Sequence, residues 1–263
     1  MRSPHLPEPP GRAAPPAPAR PLSGWSTLGW GALAFCAWLA AEALVLIVFL
    51  ARWFARNPGV PIDVDKVAHD GYVVSIAAIA SMAVQCGVVI LAIRRAQQPI
   101  AEYLGVVRRP HPREIVFCLV SVAILLIASD LLSLLIGHDL VPPFMVQVYE
   151  AARSAGPPAI LLLLTAAVIA APIGEEIMFR GFLFRGWVGS SLGVAGTILL
   201  TSAIWAAIHV QYDWYGIVQV FCLGLLFGWV RARSGSTLLT MMMHSVCNIA
   251  ATVETAVVID WLA

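Results

Sequence analysis

The segment GEEIMFRGF (174–182) follows an apolar run, Ala159 to Ile173, and carries two glutamates and an arginine into it. An ionisable side chain at the centre of a bilayer costs at least ~2.5–3.5 kcal/mol, so each one found there is a functional candidate. Glu176 and Arg180 are four apart, on one face of a helix, with the acid on the N-terminal side, and so can neutralise one another. Glu175 is rotated about 100° from Glu176. Its own i+4 neighbour is Phe179, so no cation lies one turn away on its face. A carboxylate left over in this way is a candidate general base. Pro172, about one turn earlier, cannot donate to the backbone ladder; it predicts a kink, a freed carbonyl and room for water.

Two further segments repeat the helical spacing of four. In WAAIH, Trp205 shares a face with His209; in HSVCN, His244 shares a face with Asn248. Taken singly, each has a plain structural reading: a satisfied core histidine, or a hydrogen bond between helices. Together, an unpaired Glu, two His and an Asn on three nearby helices point to one shared cluster. These are the groups that activate water and stabilise an oxyanion.

EEIMFR resembles the EExxxR motif of the CPBP intramembrane proteases, the group of CAAX prenyl endopeptidases of the Ras-converting type and the Abi or bacteriocin-processing proteins. WAAIH resembles that family's second motif, an aromatic followed by xxxH, with Trp205 where Phe is commoner. HSVCN resembles the third, HxxxN. Order and spacing agree from about Leu161 to Ala251. The resemblance implies hydrolysis of a peptide bond in a membrane-associated protein or peptide. It implies Glu175 as the catalytic carboxylate, Glu176 with Arg180 as its support, and His209 as a group that binds or activates water. It further implies that His244 and Asn248 complete the site and stabilise the oxyanion. The family is often labelled metalloprotease, and Glu175, His209 and His244 could hold Zn²⁺ with one position open. There is no HExxH, and a metal-free route, with Glu175 and His209 sharing a water, serves equally well. Neither a GxSG serine motif nor a GxGD aspartyl motif is present.

These residues need helices to carry them. The 263-residue chain is 60% hydrophobic and 12% charged, where soluble domains carry roughly 45–50% and about 25%. Apolar runs over 30–50, 72–93, 115–136, 159–173 and onward, 194–208, 215–230 and 237–259 predict an all-α, polytopic transmembrane bundle of about seven spans, six to eight. Arg and Lys in alternate connections, above all Arg94, Arg95, Arg108, Arg109 and Arg113, predict the N-terminus inside and the C-terminus outside. Three regions follow: a disordered Pro/Ala/Arg-rich tail (1–24), N-terminal transmembrane helices (25–157) and a catalytic transmembrane core (158–263). The turn between the fourth and fifth spans falls at GSSLG (189–193), roughly midway between Glu175 and His209, which sets the two level but deep in the membrane.

A net charge of +1 gives no case for nucleic acid, and the five cysteines form no CxxC pair and read as small buried hydrophobes. The expected partners are the lipid bilayer and a membrane-associated protein or peptide substrate, in a multi-pass protein of a bacterial cytoplasmic membrane. Two other functions fit the composition: a non-proteolytic scaffold or bacteriocin-immunity protein, and a transporter or proton relay, for which Glu42 and Asp130 are the motive. The protease reading instead expects Glu42 and Asp130 to pair with polar groups on neighbouring helices.

Overall fold

The computed structural model describes residues 22–262, and every regular element among them is helical. Of the tail expected over 1–24, residues 1–21 lie outside the described residues. Gly24 already belongs to a helix, because Ser23 caps it by accepting the N–H of Ser26. That helix, α1, runs Gly24–Arg56 and is longer than the apolar run alone predicts.

After a short turn of helix, α2 (Val64–Ala68), Asp70 accepts the N–H groups of Tyr72 and Val73 and starts α3 (Gly71–Arg95). A carboxylate there satisfies donors that the first helical turn leaves free. The proline-punctuated stretch that follows holds only α4 (Ile100–Leu104). Next come α5 (Pro112–Ile136) and α6 (Pro143–Ala155), the latter an amphipathic helix between the apolar runs 115–136 and 159–173. α7 spans Pro157–Trp187 without a break, and α8 spans Gly193–Ala207. Asp213 caps α9 (Trp214–Ser234) and Ser236 caps α10 (Thr237–Val257).

Among the described residues α1, α3, α5, α7, α9 and α10 are long and apolar enough to cross a bilayer. α8 is apolar but only 15 residues long, about 22 Å at 1.5 Å per residue. The expected count of about seven spans therefore resolves into six long helices and one short one. Large apolar side chains such as Leu131, Leu134 and Leu135 cover the outside, as a lipid-facing surface requires. The cysteines divide: Cys118 and Cys247 are buried as expected, whereas Cys36 and Cys222 are exposed.

α3 packs along α1 and against α6 and α7, α8 lies along α9, and α10 touches α5, α7 and α9. Close approach depends on small residues. At Gly186 of α7 a Cβ would sit 2.0 Å from Thr27 Oγ1 of α1. At Gly224 of α9 it would sit 2.9 Å from Ser202 Cβ of α8.

α7 is not a uniform helix. It holds two π-helical segments, Thr165–Ala170 and Ile177–Leu183, on either side of the turn that carries Glu175 and Glu176. A π turn bonds i to i+5 and tends to occur at functional sites. The first has a local cause. Ala171 donates to Ala166 O, so the next bond in that register would run from residue 172 to Ala167 O, and Pro172 has no N–H to give. The kink and freed carbonyl expected from Pro172 take this form.

Candidate active site

Glu176 and Arg180 are both wholly buried. Arg180 Nη1 donates to Glu176 Oε1 at 2.8 Å, as their spacing predicts, and Nη2 reaches Gly224 O at 3.3 Å. The guanidinium carbon also lies 4.4 Å from the centroid of the Trp205 ring and 5.3 Å from that of Phe227, so aromatic faces supply the rest of its solvation.

Trp205, 2% exposed, is the hub of the cluster. Its indole Nε1–H donates to Glu175 Oε2. Its ring meets His209 and His244 nearly edge-on, with centroids 5.3 and 5.2 Å away. The sequence placed Trp205 beside His209 and the structure agrees, but the bond to Glu175 joins two helices and left no trace in the spacing.

Both imidazoles have a defined proton. His209 Nδ1 lies 2.7 Å from Trp205 O. A carbonyl can only accept, so Nδ1 carries the hydrogen and Nε2 keeps its lone pair in the neutral ring. His244 Nδ1 lies 3.2 Å from Glu176 Oε1, which fixes its tautomer in the same way. His244 thus joins the supporting carboxylate directly. Asn248 Nδ2 donates to Ala167 O at 2.7 Å, the carbonyl that Pro172 leaves free. One carboxamide N–H is therefore a clasp on the π turn, and one remains.

Glu175, His209, His244 and Asn248 line one cavity of about 770 Å³ between α1, α3, α6, α7 and α10. It extends to exposed residues Val64 and Gln211 outside the spans, which gives water a route. A smaller cavity of about 320 Å³, toward α5 and α9, shares His209, Tyr212, His244 and Asn248 with it. The cluster thus stands at the wall between the two. It is level with the far end of α8, about 22 Å along the helix from the 189–193 turn.

Tyr212, which the sequence reading did not single out, belongs to this wall. Its ring stacks on His209 at 5.8 Å between centroids. Burial, with the charge of Glu175, pushes its phenol up to about 12, so the hydroxyl keeps its proton at neutral pH. The signal that could have found it is its position three residues after His209, in the short link before α9.

Two expectations bear on this cluster, a zinc ion and the pairing of the membrane acids. A zinc ion on Glu175, His209 and His244 needs three donor atoms about 2.0–2.2 Å from one point. Among the described residues no three His, Cys, Asp or Glu side chains are grouped to hold a metal. Glu175 Oε2, His209 Nδ1 and His244 Nδ1 are engaged by Trp205 Nε1, Trp205 O and Glu176, which leaves one further polar atom on each side chain. Asp130 departs from expectation. Glu42 accepts from Ser81 Oγ at 3.4 Å, as a paired acid should. Asp130 instead lines the smaller cavity with Glu254, and among the described residues no hydrogen bond reaches it.

Residues 157–250 match the family described as Type II CAAX prenyl endopeptidase Rce1-like. Over 112 residues the chain is 34% identical to an uncharacterized 24.3 kDa protein of Escherichia coli, a match covering 39% of this chain and 46% of that protein. No solved structure matches.

Proposed function

We propose that this chain, a member of the CPBP family by its Rce1-like segment, is an intramembrane endopeptidase that hydrolyses a peptide bond in a membrane-associated protein or peptide, in a bacterial cytoplasmic membrane. The observation that carries the reading is the convergence of Glu175, His209, His244 and Asn248 on one cavity inside an apolar bundle.

In this reading Glu175 is the general base. Trp205 holds Oε2, so Oε1 takes the proton of a water in the cavity. The hydroxide adds to the scissile carbonyl carbon. The oxyanion is met by the free N–H of Asn248 and the hydroxyl of Tyr212. Collapse of the tetrahedral intermediate breaks the C–N bond, and the proton held by Glu175 passes to the leaving nitrogen. His209 Nε2 accepts a hydrogen bond from the attacking water and orients it. His244 is tied to the Glu176–Arg180 pair, which holds its ring against the cavity. Each of these steps uses a group the chain itself supplies, so a metal is not required.

The test is Glu175→Gln. Gln keeps the shape and can still accept from Trp205, but it is not a base. The expected loss is about 10²–10⁴-fold in turnover, with insertion and folding unchanged. Quantitative comparison of membrane-protein termini in cells carrying wild-type or Glu175→Gln protein would show the missing cleavages and name the substrate. Termini that are the same in both would refute the assignment and favour a scaffold, which should keep its function without this carboxylate.

A further inference from the structure

The aromatic position of the second motif carries more than packing in this chain. Trp205 sits where a phenylalanine would fill similar space, yet its indole adds a donor. A buried indole N–H needs an acceptor, and an unsatisfied donor in an apolar interior is costly. The acceptor here is Glu175 Oε2. The direction of that donor is fixed by the ring's surroundings. The Arg180 guanidinium lies over one part of the ring at 4.4 Å, and Phe227 is 5.8 Å away between centroids. His209 and His244 meet it nearly edge-on at 82° and 78°. Turning the indole would disturb all four.

We propose that Trp205 is a positioning residue for Glu175: its N–H ties down one carboxylate oxygen, so that the other is presented to the cavity. This deepens the protease reading and rests on it for the role of Glu175. It also gives the Glu176–Arg180 pair a route to the reacting carboxylate. Glu176 holds Arg180, Arg180 lies against the Trp205 ring, and Trp205 holds Glu175. Glu175 itself sits between two π segments of α7, where a free side chain would have several rotamers open to it. Losing the indole N–H would release it to sample them. A cation near the ring polarises the indole and strengthens its N–H as a donor, so removing the charge of Arg180 should loosen the same contact without touching Glu175.

Two variants separate the N–H from the bulk of the ring. Trp205→Phe keeps an aromatic ring. Replacement of Trp205 by 3-benzothienylalanine keeps the bicyclic shape and puts sulfur in place of N–H. Both are made in the full chain in lipid nanodiscs. The first readout needs no substrate. The protein has nine tryptophans, so ¹⁵N-indole labelling gives at most nine N–H resonances, and the one missing from Trp205→Phe is that of residue 205. A bond to a carboxylate places it downfield, and Glu175→Ala should move it upfield. A position-205 resonance that Glu175→Ala leaves in place would overturn the proposal.

The second readout is turnover of a quenched fluorescent peptide ending in a farnesylated CAAX sequence. Both Trp205 variants should lose about 10- to 100-fold in kcat, since a small misplacement of a reacting group costs on that scale, with KM within about two-fold of wild type because the ring still fills its place. Wild-type kcat in the benzothienylalanine protein, beside an inactive Glu175→Gln, would refute the positioning role and leave the protease reading intact. An active Glu175→Gln would refute the reading itself. A peptide that the wild type does not cleave leaves the decision to the indole resonance.

Discussion

Glu176→Gln is the perturbation whose consequence can be worked most fully from the structure. The amide keeps the side chain's shape, and its oxygen can still accept from Arg180 Nη1 and His244 Nδ1. What disappears is one negative charge beside a wholly buried guanidinium. Arg180 would retain Gly224 O at 3.3 Å and the rings of Trp205 and Phe227, but no hydrogen-bonded anion. Leaving one member of a buried ion pair uncompensated costs about 3–5 kcal/mol, a large share of the ~5–15 kcal/mol that holds a domain folded. At ~2–4 °C per kcal/mol for a chain of this size, the midpoint should fall by about 6–20 °C. Arg180→Met, which strands Glu176 instead, should do the same. The double variant removes both charges and should regain at least half of the loss, because a buried pair exchanged for neutral groups is often close to neutral in stability. Thermal unfolding in detergent, followed by a maleimide dye, suits this chain. Cys118 and Cys247 are buried and report unfolding, whereas Cys36 and Cys222 are exposed and set the starting signal. Single variants that melt within about 2 °C of wild type, or a double variant worse than either, would refute the argument that the pair stabilises by mutual neutralisation.

Asn248→Leu strips the donor from Ala167 O and should cost about 1–3 kcal/mol of stability, read by the same dye; an unchanged midpoint would show that water replaces the clasp. Gly186→Ala should destabilise by about 1–3 kcal/mol, since the new methyl would lie 2.0 Å from Thr27 Oγ1, and adding Thr27→Ala should restore part of it. A pH effect is expected where the α5–α6 link meets the loop that carries His209. His138 Nδ1 lies 3.0 Å from Asp139 O and Nε2 lies 2.7 Å from Asp213 Oδ2, and both contacts, the carbonyl first, hold its imidazolium above the usual histidine range. Asp213 is held low by the Gly216 N–H and then by His138. The contact is complete below the ordinary histidine value of about 6.5 and is lost as pH rises through the elevated one; on the acid side it persists until Asp213 protonates, below its usual range. Hydrogen exchange in residues 208–213 should therefore quicken as pH is raised through neutrality, after correction for intrinsic rates, and His138→Gln should remove that step.

What the sequence determined by itself is what depends on neighbours along one helix. Apolar runs of bilayer length give the six long helices and the short seventh. A spacing of four gives the Glu176–Arg180 pair and puts Trp205 beside His209. Side chains one turn apart on a single helix meet whatever the rest of the chain does. The tertiary structure decided the rest, because it depends on how helices are turned toward each other. His244 meets Glu176 rather than Glu175, and Trp205 reaches across to Glu175. Asn248 closes on a carbonyl left as a free acceptor because a proline follows a π turn. Each π turn adds a residue to its loop of the ladder and rotates everything beyond it by about 100° relative to a regular helix. A face drawn with 3.6 residues per turn therefore drifts off target within α7. Tyr212 lies in a link with no helical period, where a turn closed by its N–H to His209 O stacks its ring on His209. Metal ligation needs three atoms about one point, a condition on distances between helices that no spacing along the chain can state.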